Sequence, residues 1–297
     1  MRALADFIMR GRVQATVVVV GCAALPLLFW LSAAAASLVF LRRGFKDAST
    51  VIGWALLPAL AWWVFGDPRT LAVLAGTLGM AALLRAGHSW NRVLLSSVGL
   101  GLLYGIILGS VFREPIEALG QALVKSLPVM LDGLYQKMSV EERAQLGGIV
   151  VPVLTGLMAA GLQIISVLAL MLGRYWQAAL YNPGGFGREF HTVRFTLVPA
   201  LVLLGCMLFG PSLGSGLALL TPLCSVPLMF AGVALLHGLV AQKRLSKFWL
   251  VGLYVTMVLF MQLTYPLLVV LAIVDSLIDF RGSKPPPQGD DAANGEG

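Results

Sequence analysis

The sequence predicts an all-α protein, a polytopic bundle of about eight to ten transmembrane helices that forms one domain over residues 1–281. Hydrophobic residues make up 58% of the chain, charged residues make up only 12%, and long apolar runs recur along almost its whole length. Soluble domains carry about 25% charged residues. A chain this apolar cannot cover itself with polar surface, so the lipid bilayer is its predicted solvent and first partner.

The predicted spans follow from the apolar runs. A transmembrane helix needs about 20 apolar residues, and six runs come close to that length: 50–65, 70–84, 93–112, 148–172, 195–210 and 213–240. The terminal runs 13–41 and 248–280 are long for one crossing and short for two, and each has a proline, Pro26 or Pro266, near its centre. Proline breaks or kinks a helix. We predict two hairpins and therefore ten segments, whereas one kinked helix at each end would give eight.

The distribution of charge predicts the orientation. The formal net charge is +7, and in the ten-segment arrangement sixteen of the 21 lysines and arginines fall on the side of the two termini. Cytoplasmic loops of membrane proteins carry such an excess, so we predict a bacterial-type inner membrane protein with both termini in the cytoplasm. These basic residues are spread over short loops and form no continuous basic face, which argues against nucleic-acid binding.

No constellation of residues predicts catalysis. The cysteines Cys22, Cys206 and Cys224 all lie within apolar runs, without a C-x-x-C motif or a nearby histidine. Cysteines in such positions are typical of small buried apolar side chains. The three histidines lie far apart in the sequence. The sequence therefore predicts no enzyme, no catalytic residue, no metal site and no cofactor.

Two segments are predicted to lie outside the bilayer. In the non-cytoplasmic segment 113–147, apolar residues recur at helical spacing, which predicts an amphipathic helix that breaks near Pro128. Ser139 and Glu142 form a capping-box pattern that would begin the next helix. The tail 282–297 is rich in proline, glycine and aspartate, and we predict that it is disordered.

A glycine stripe predicts close helix packing. Gly101, Gly105 and Gly109 recur every four residues in the run 93–112. Small residues on one face allow two helices to approach closely in lipid. Gly156 and Ala160 offer a similar face, so we predict that their helix pairs with the glycine stripe.

The segment 174–195 is predicted to be a cytoplasmic interfacial loop. It combines aromatic residues typical of the membrane interface with basic residues and a turn sequence. One interpretation is a structured loop that is anchored at the membrane surface. The other is a functional element, either a docking element or part of a cytoplasmic gate. Its candidate functional residues are Arg174, Trp176, Gln177, Tyr181, Asn182, Pro183, Gly184, Gly185, Phe186, Glu189 and Phe190.

Polar side chains at membrane depth are energetically costly and therefore form a second set of candidates. These are Gln163, Gln262, Asp275 and Asp279. Asp275 and Asp279 are four residues apart and share one face of a helix. We expect them to pair with a basic loop residue such as Arg42 or Arg43, with a proton or cation site as the alternative.

Several of these motifs resemble a known family. The run 174–190, the element 41–44 and the terminal stretch 275–281 are similar to signatures of the YybS-like family, bacterial membrane proteins grouped as a domain of unknown function. More distantly, the helix layout resembles the substrate-binding components of energy-coupling-factor transporters. The resemblance implies an envelope membrane protein with a helical bundle, and it implies no activity and no ligand residue.

Two functions remain open at this level. The first is binding or transport of a small-molecule ligand in a cavity lined by Gln163, Gln262 and Tyr104 and by helix ends interrupted at prolines. The second is a non-transporting scaffold whose partner is another membrane protein. The scaffold would use the segments 174–195 and 113–147 to contact that partner.

Overall fold

The fold is an all-α helical bundle, as the sequence predicts. A computed structural model describes residues 2–282, which contain fourteen α-helices, one short 3-10 helix and no strand. The predicted disordered tail lies outside these residues, apart from Gly282. The helices are α1 Arg2–Arg10, α2 Arg12–Ala24, α3 Phe29–Arg43, α4 Phe45–Val64, α5 Arg69–Arg85, α6 Trp90–Val111, α7 Arg113–Met130, α8 Asp132–Lys137, α9 Val140–Tyr181, α10 Gly185–His191, α11 Leu197–Leu213, the 3-10 helix Ser215–Leu219, α12 Leu220–Ala241, α13 Phe248–Leu259 and α14 Met261–Ile278.

The bundle has the helices of a multi-pass membrane protein. Within residues 2–282, five helical stretches are long and apolar enough to cross a bilayer: α4, α6, α9, α12 together with the 3-10 helix, and α14. The helices α2, α11 and α13 are also apolar but shorter, with 10–17 residues each. Many large apolar side chains on these helices point outwards, which is the expected pattern where the solvent is lipid.

The N-terminal apolar run folds into the predicted hairpin. Helix α2 ends at Ala24, next to Pro26, and α3 begins at Phe29. The two helices run antiparallel, since the Ser32 hydroxyl donates to the Val19 carbonyl at 2.7 Å and Arg43 donates to the Met9 carbonyl at 2.6 Å.

The C-terminal run also folds back on itself, but the predicted position of its break is wrong. The chain turns at Phe260, where φ is −133°, and Pro266 lies inside α14. Across the turn, the Thr264 hydroxyl donates to the Thr256 carbonyl at 3.2 Å. Because Pro266 is only in the second turn of α14, the helix loses one backbone hydrogen bond there and continues.

Helix α9 is the central column of the bundle. It packs against α3, α5, α6 and α12, and its closest approach to α3 places Gly173 against the Ser37 hydroxyl and the Ala34 carbonyl. With 42 residues, α9 is about 63 Å long at 1.5 Å per residue. A bilayer with its headgroups is about 40–45 Å thick, so one end of α9 extends well beyond it.

The segment 113–147 covers the extended end of α9. Helix α7 packs against α9, and Gly120 lies next to Val151. The predicted break at Pro128 is displaced, since α7 continues to Met130 and the chain bends at Asp132, where φ is +39°. The predicted capping box at Ser139 is present, and it starts α9 as expected.

The glycine stripe packs as predicted along only part of its length. Helix α6 does pack against α9, with Gly101 next to Gln163 and Gly105 next to Ala159. Gly109 has no neighbouring atom within 4 Å of a Cβ built on it and lies on the exposed face, so its predicted role is wrong. Gly156 contacts the backbone of Leu219 in the 3-10 helix instead of α6. The reason is that the face of α9 that carries Gly156 points towards the 3-10 helix and the first turn of α12, and not towards α6.

The basic loops gather at one end of the bundle, which we call the basic end. Arg85 donates to the carbonyls of Phe40 and Leu41 at 3.0 and 2.9 Å, which joins the end of α5 to the end of α3. Asn91 and Arg194 exchange two hydrogen bonds, of 2.7 and 3.1 Å, which join α6 to the chain before α11. These contacts between segments distant in sequence fix the positions of the helix ends relative to one another along the bundle axis.

Candidate functional site

The segment 174–195 is more helical than predicted. Residues 174–181 are the last two turns of α9, because no helix breaker precedes Pro183 and the buried stripe of α9 continues through Trp176 and Ala178. The predicted turn occupies residues 182–184, where Gly184 has a φ of +79° that suits glycine. The seven-residue helix α10 follows.

Glu189 anchors α10 to the bundle. The Arg174 guanidinium binds both carboxylate oxygens of Glu189, and its Nε lies 3.1 Å from Oε2. The indole of Trp90, at the start of α6, donates to the same Oε2 at 3.1 Å. Gln177 accepts from Arg174 at 3.1 Å and donates to the Leu41 carbonyl at 3.2 Å. The Glu189 carboxylate thus links α10 to α9 and α6, and Gln177 links α9 to the end of α3.

Asp275 in α14 and Asp279, which follows the end of that helix with a φ of +52°, contact the same segment. Arg281 pairs with Asp275 at 2.7 Å, and Arg194 lies 3.7 Å from Asp275 and 3.5 Å from Asp279. The expected pairing with basic loop residues is confirmed, but the partners are Arg194 and Arg281 instead of Arg42 or Arg43. The reason is that α14 packs against α12 and α11 and lies away from the end of α3. The two predicted groups of candidates, the interfacial segment and the carboxylates, form one connected network.

The Asp275–Arg281 pair is the most buried part of this network. Asp275 is 2% exposed and Arg281 is 5% exposed. Asp275 also accepts from the Phe280 amide at 3.1 Å, and Arg281 donates to the His191 carbonyl at 2.8 Å. Asp275 and Arg281 thus form a buried ion pair, and each group makes a further hydrogen bond. This pair holds the end of α14 against α10.

The predicted intramembrane glutamines have different environments. Gln163 is fully buried, donates to the Ser97 hydroxyl at 2.8 Å and lies against Gly101. Tyr104, one turn of α6 away, donates to the Ala72 carbonyl at 2.8 Å. Gln262 lies on the exposed outer face beside the Phe260 turn, so it does not line a central cavity with Gln163 as predicted.

An apolar groove opens on the side of the bundle between α9, α10, α12 and α13, and we call it the lateral groove. Its volume is about 540 Å³. Four methionines contribute much of its lining, together with aliphatic and aromatic side chains: Met171, Met229, Met257 and Met261. Methionine adapts its shape to irregular apolar ligands.

The polar groups of the lateral groove converge at its basic end. The His237 Nε2 lies 2.8 Å from the Tyr254 hydroxyl, and the ring of His191 stacks on His237 with 6.3 Å between centroids. Phe190 contacts the His237 ring edge-on at 5.7 Å. Burial and the charge of Arg281 lower the pKa of His191 below its ordinary value, which favours the neutral ring.

Sequence reasoning noted His237 as a polar residue near a cytoplasmic helix end, but it missed Tyr254 and the pairing of the two side chains. They are 17 residues apart on two different helices, and their pairing depends on how α13 folds back along α12. The predicted residues Phe186 and Phe190 do line the groove, and their rings stack with 5.8 Å between centroids.

A second lateral opening lies between α5 and α6, and we call it the α5–α6 groove. Its volume is about 700 Å³, and its lining is almost entirely apolar. The Tyr104 hydroxyl at its edge is already bonded to the Ala72 carbonyl and the Ser166 hydroxyl. This groove therefore offers less polar recognition than the lateral groove.

Fold and site together define a multi-pass, all-α membrane protein with an apolar groove that has a polar end. Comparison with known protein families, with curated proteins and with solved structures finds no match to this chain. The resemblance to the YybS-like family stays a prediction. Among residues 2–282, no group of three or more histidine, cysteine, aspartate or glutamate side chains is placed to hold a metal ion.

Proposed function

We propose that this protein binds an amphipathic molecule dissolved in the membrane, with its apolar part in the lateral groove and its polar part at His191, His237 and Tyr254. The observation that carries the proposal is the combination of an apolar groove of about 540 Å³ with polar groups gathered at one end. Ligand sites have volumes of about 300–1,000 Å³, apolar linings and a few convergent polar groups.

The character of the polar end favours a ligand that exchanges hydrogen bonds. Its histidines and tyrosine present both donors and acceptors, and none of the residues between 2 and 282 that line the groove carries a carboxylate. The rings of Phe186 and Phe190 form the wall that faces the interface. A molecule with a hydroxyl, carbonyl or acidic head and a hydrocarbon body fits this arrangement.

The position of the groove also favours entry from the bilayer. Leu168 and Met261 at its rim are 50% and 53% exposed, so the groove is open on the outer face of the bundle. In contrast, the Gln163 amide nitrogen and the Tyr104 hydroxyl are bonded to other parts of the protein. The buried Gln163 Oε1 has no hydrogen-bond partner within residues 2–282, but Gln163 lines neither groove. We therefore assign ligand binding to the side of the bundle instead of its centre.

We further propose that the membrane is a bacterial-type inner membrane and that the basic end faces the cytoplasm. This orientation follows from the excess of lysine and arginine in the loops at that end. Alkaline phosphatase and green fluorescent protein fused at residue 147 and at the C-terminus test it. We expect phosphatase activity at residue 147 and fluorescence at the C-terminus, and an active phosphatase at the C-terminus would refute the orientation.

Photolabelling tests the proposed ligand site. The full-length protein in mixed micelles is irradiated with palmitic acid that carries a mid-chain diazirine, and the adducts are mapped by mass spectrometry. We expect saturable adducts on the rim residues Leu168, Met257 and Met261, reduced by excess unlabelled palmitate. Adducts on Leu103 and Ile107 in the α5–α6 groove should increase without saturation. Equal, unsaturable labelling of both grooves would show that the lateral groove selects no ligand.

A further inference from the structure

The basic end contains a second pocket, distinct from the lateral groove, which we call the arginine pocket. It lies where α3, α5 and α9 end, and its volume is about 360 Å³. Its polar lining consists of Arg42, Arg85, Arg174, Gln177, Tyr181 and Asn182. Three guanidinium groups therefore face one pocket, and no carboxylate is among its lining residues.

The charges of these arginines are not equally compensated. Arg174 is paired with Glu189, whose carboxylate lies in the neighbouring cavity. No ion pair within residues 2–282 includes Arg42 or Arg85. The pocket therefore has two positive charges without a carboxylate partner in the described part of the chain.

Helix capping accounts for only one nitrogen of the Arg85 guanidinium, and it accounts for none of the donors of Arg42. The Nη1 of Arg85 binds two carbonyls at the end of α3, where a cation also offsets the helix dipole. This contact fixes the guanidinium and leaves its Nε and Nη2 as donors. Arg42 stacks over the Tyr181 ring at 3.9 Å, which holds its planar group at the pocket edge with its donors available.

We propose that the arginine pocket binds a phosphate group. Planar guanidinium groups bind phosphate through paired hydrogen bonds, and two fixed arginines without carboxylate partners supply both the charge and the donors. Basic pockets between helices at the cytoplasmic side of a membrane bind phospholipid headgroups. The phosphate comes either from an anionic phospholipid or from solution. The site is separate from the lateral groove, so it does not depend on the ligand proposed there, although it rests on the proposed cytoplasmic orientation of the basic end.

Thermal unfolding of the purified full-length protein in dodecyl maltoside tests this proposal. The probes are dioleoyl phosphatidic acid, dioleoyl phosphatidylcholine and inorganic phosphate, each titrated against the melting temperature. We expect phosphatidic acid to raise the wild-type melting temperature more than phosphatidylcholine does, because binding to the folded state stabilises it. In R42Q, the apparent affinity for phosphatidic acid should fall about tenfold, as expected for a lost charge-assisted contact.

The matched control is R92Q, which removes the same charge from the same end of the bundle but outside the pocket. It should keep the wild-type response. If inorganic phosphate matches phosphatidic acid and R42Q weakens both, the site binds phosphate from solution. Equal responses of wild type and R42Q, or equal effects of phosphatidic acid and phosphatidylcholine on wild type, would overturn the proposal. Each variant is compared with its own lipid-free melting temperature, so a change in basal stability does not affect the result.

Discussion

Replacing Arg281 with methionine is expected to destabilise the protein by about 3–5 kcal/mol, because it leaves a buried carboxylate without its main partner. Asp275 is 2% exposed, and its closest cation is Arg281 at 2.7 Å, whereas Arg194 is 3.7 Å away. The same change removes the hydrogen bond to the His191 carbonyl. The free energy of unfolding, measured in mixed detergent micelles, checks this value.

Two further variants distinguish the cost of breaking the buried ion pair from the cost of losing any arginine. R113M breaks an exposed pair with Glu117, and it should cost less than about 1 kcal/mol. D275L combined with R281M removes both buried charges, and it should be more stable than R281M alone. Wild-type stability of R281M would mean that Asp275 and Arg281 are solvated and that the end of α14 is not held as described.

Replacing Gly232 with alanine is expected to cost about 2–3 kcal/mol, because α12 and α14 would have to separate. A Cβ on Gly232 would overlap the carbonyl oxygen of Leu268 and lie 2.8 Å from its carbonyl carbon. These are backbone atoms, so no side-chain rotation relieves the overlap. Thermal melting of the purified variant measures the effect.

Gly252 provides the matched control for this substitution. It also lies inside an apolar helix, and a Cβ there has no neighbour within 4 Å. G252A should leave the protein unchanged or stabilise it by up to about 1 kcal/mol, since alanine favours helix more than glycine does. Equal melting temperatures for G232A and G252A would contradict the close packing of α12 on α14.

The sequence was sufficient to predict those features that depend on local pattern. Apolar run length predicted four of the five long apolar helices, α4, α6, α9 and α12. Pro26 predicted the N-terminal hairpin because it divides a run that is too long for one crossing. The capping box at Ser139 was predictable because its two partners are three residues apart. Pro266 misled the prediction, since a proline near a helix start is tolerated.

The features that depend on packing between distant helices were not predictable from one sequence. Four-residue spacing placed Asp275 and Asp279 on one face, but it did not reveal that α14 lies beside Arg194. Likewise, the Gly101 stripe predicted a close helix partner, but the four-residue spacing did not reveal that Gly109 lies on the exposed face. The lateral groove exists because α13 is short and folds back along α12, which no local pattern encodes.

The amount of amphipathic molecule that copurifies with the protein tests the central claim most directly. Gly187 lines the lateral groove, and a Cβ there contacts only His191 at 3.9 Å, so a larger side chain can begin there without a backbone clash and reduces the groove volume. Gly79 lines the α5–α6 groove and has equal freedom, so G79L is the matched control. Lipid extracts of wild type, G187L and G79L, purified identically, are quantified by mass spectrometry per mole of protein. We predict that one amphipathic species decreases several-fold in G187L and is unchanged in G79L, whereas identical extracts from all three proteins would contradict ligand binding in the lateral groove.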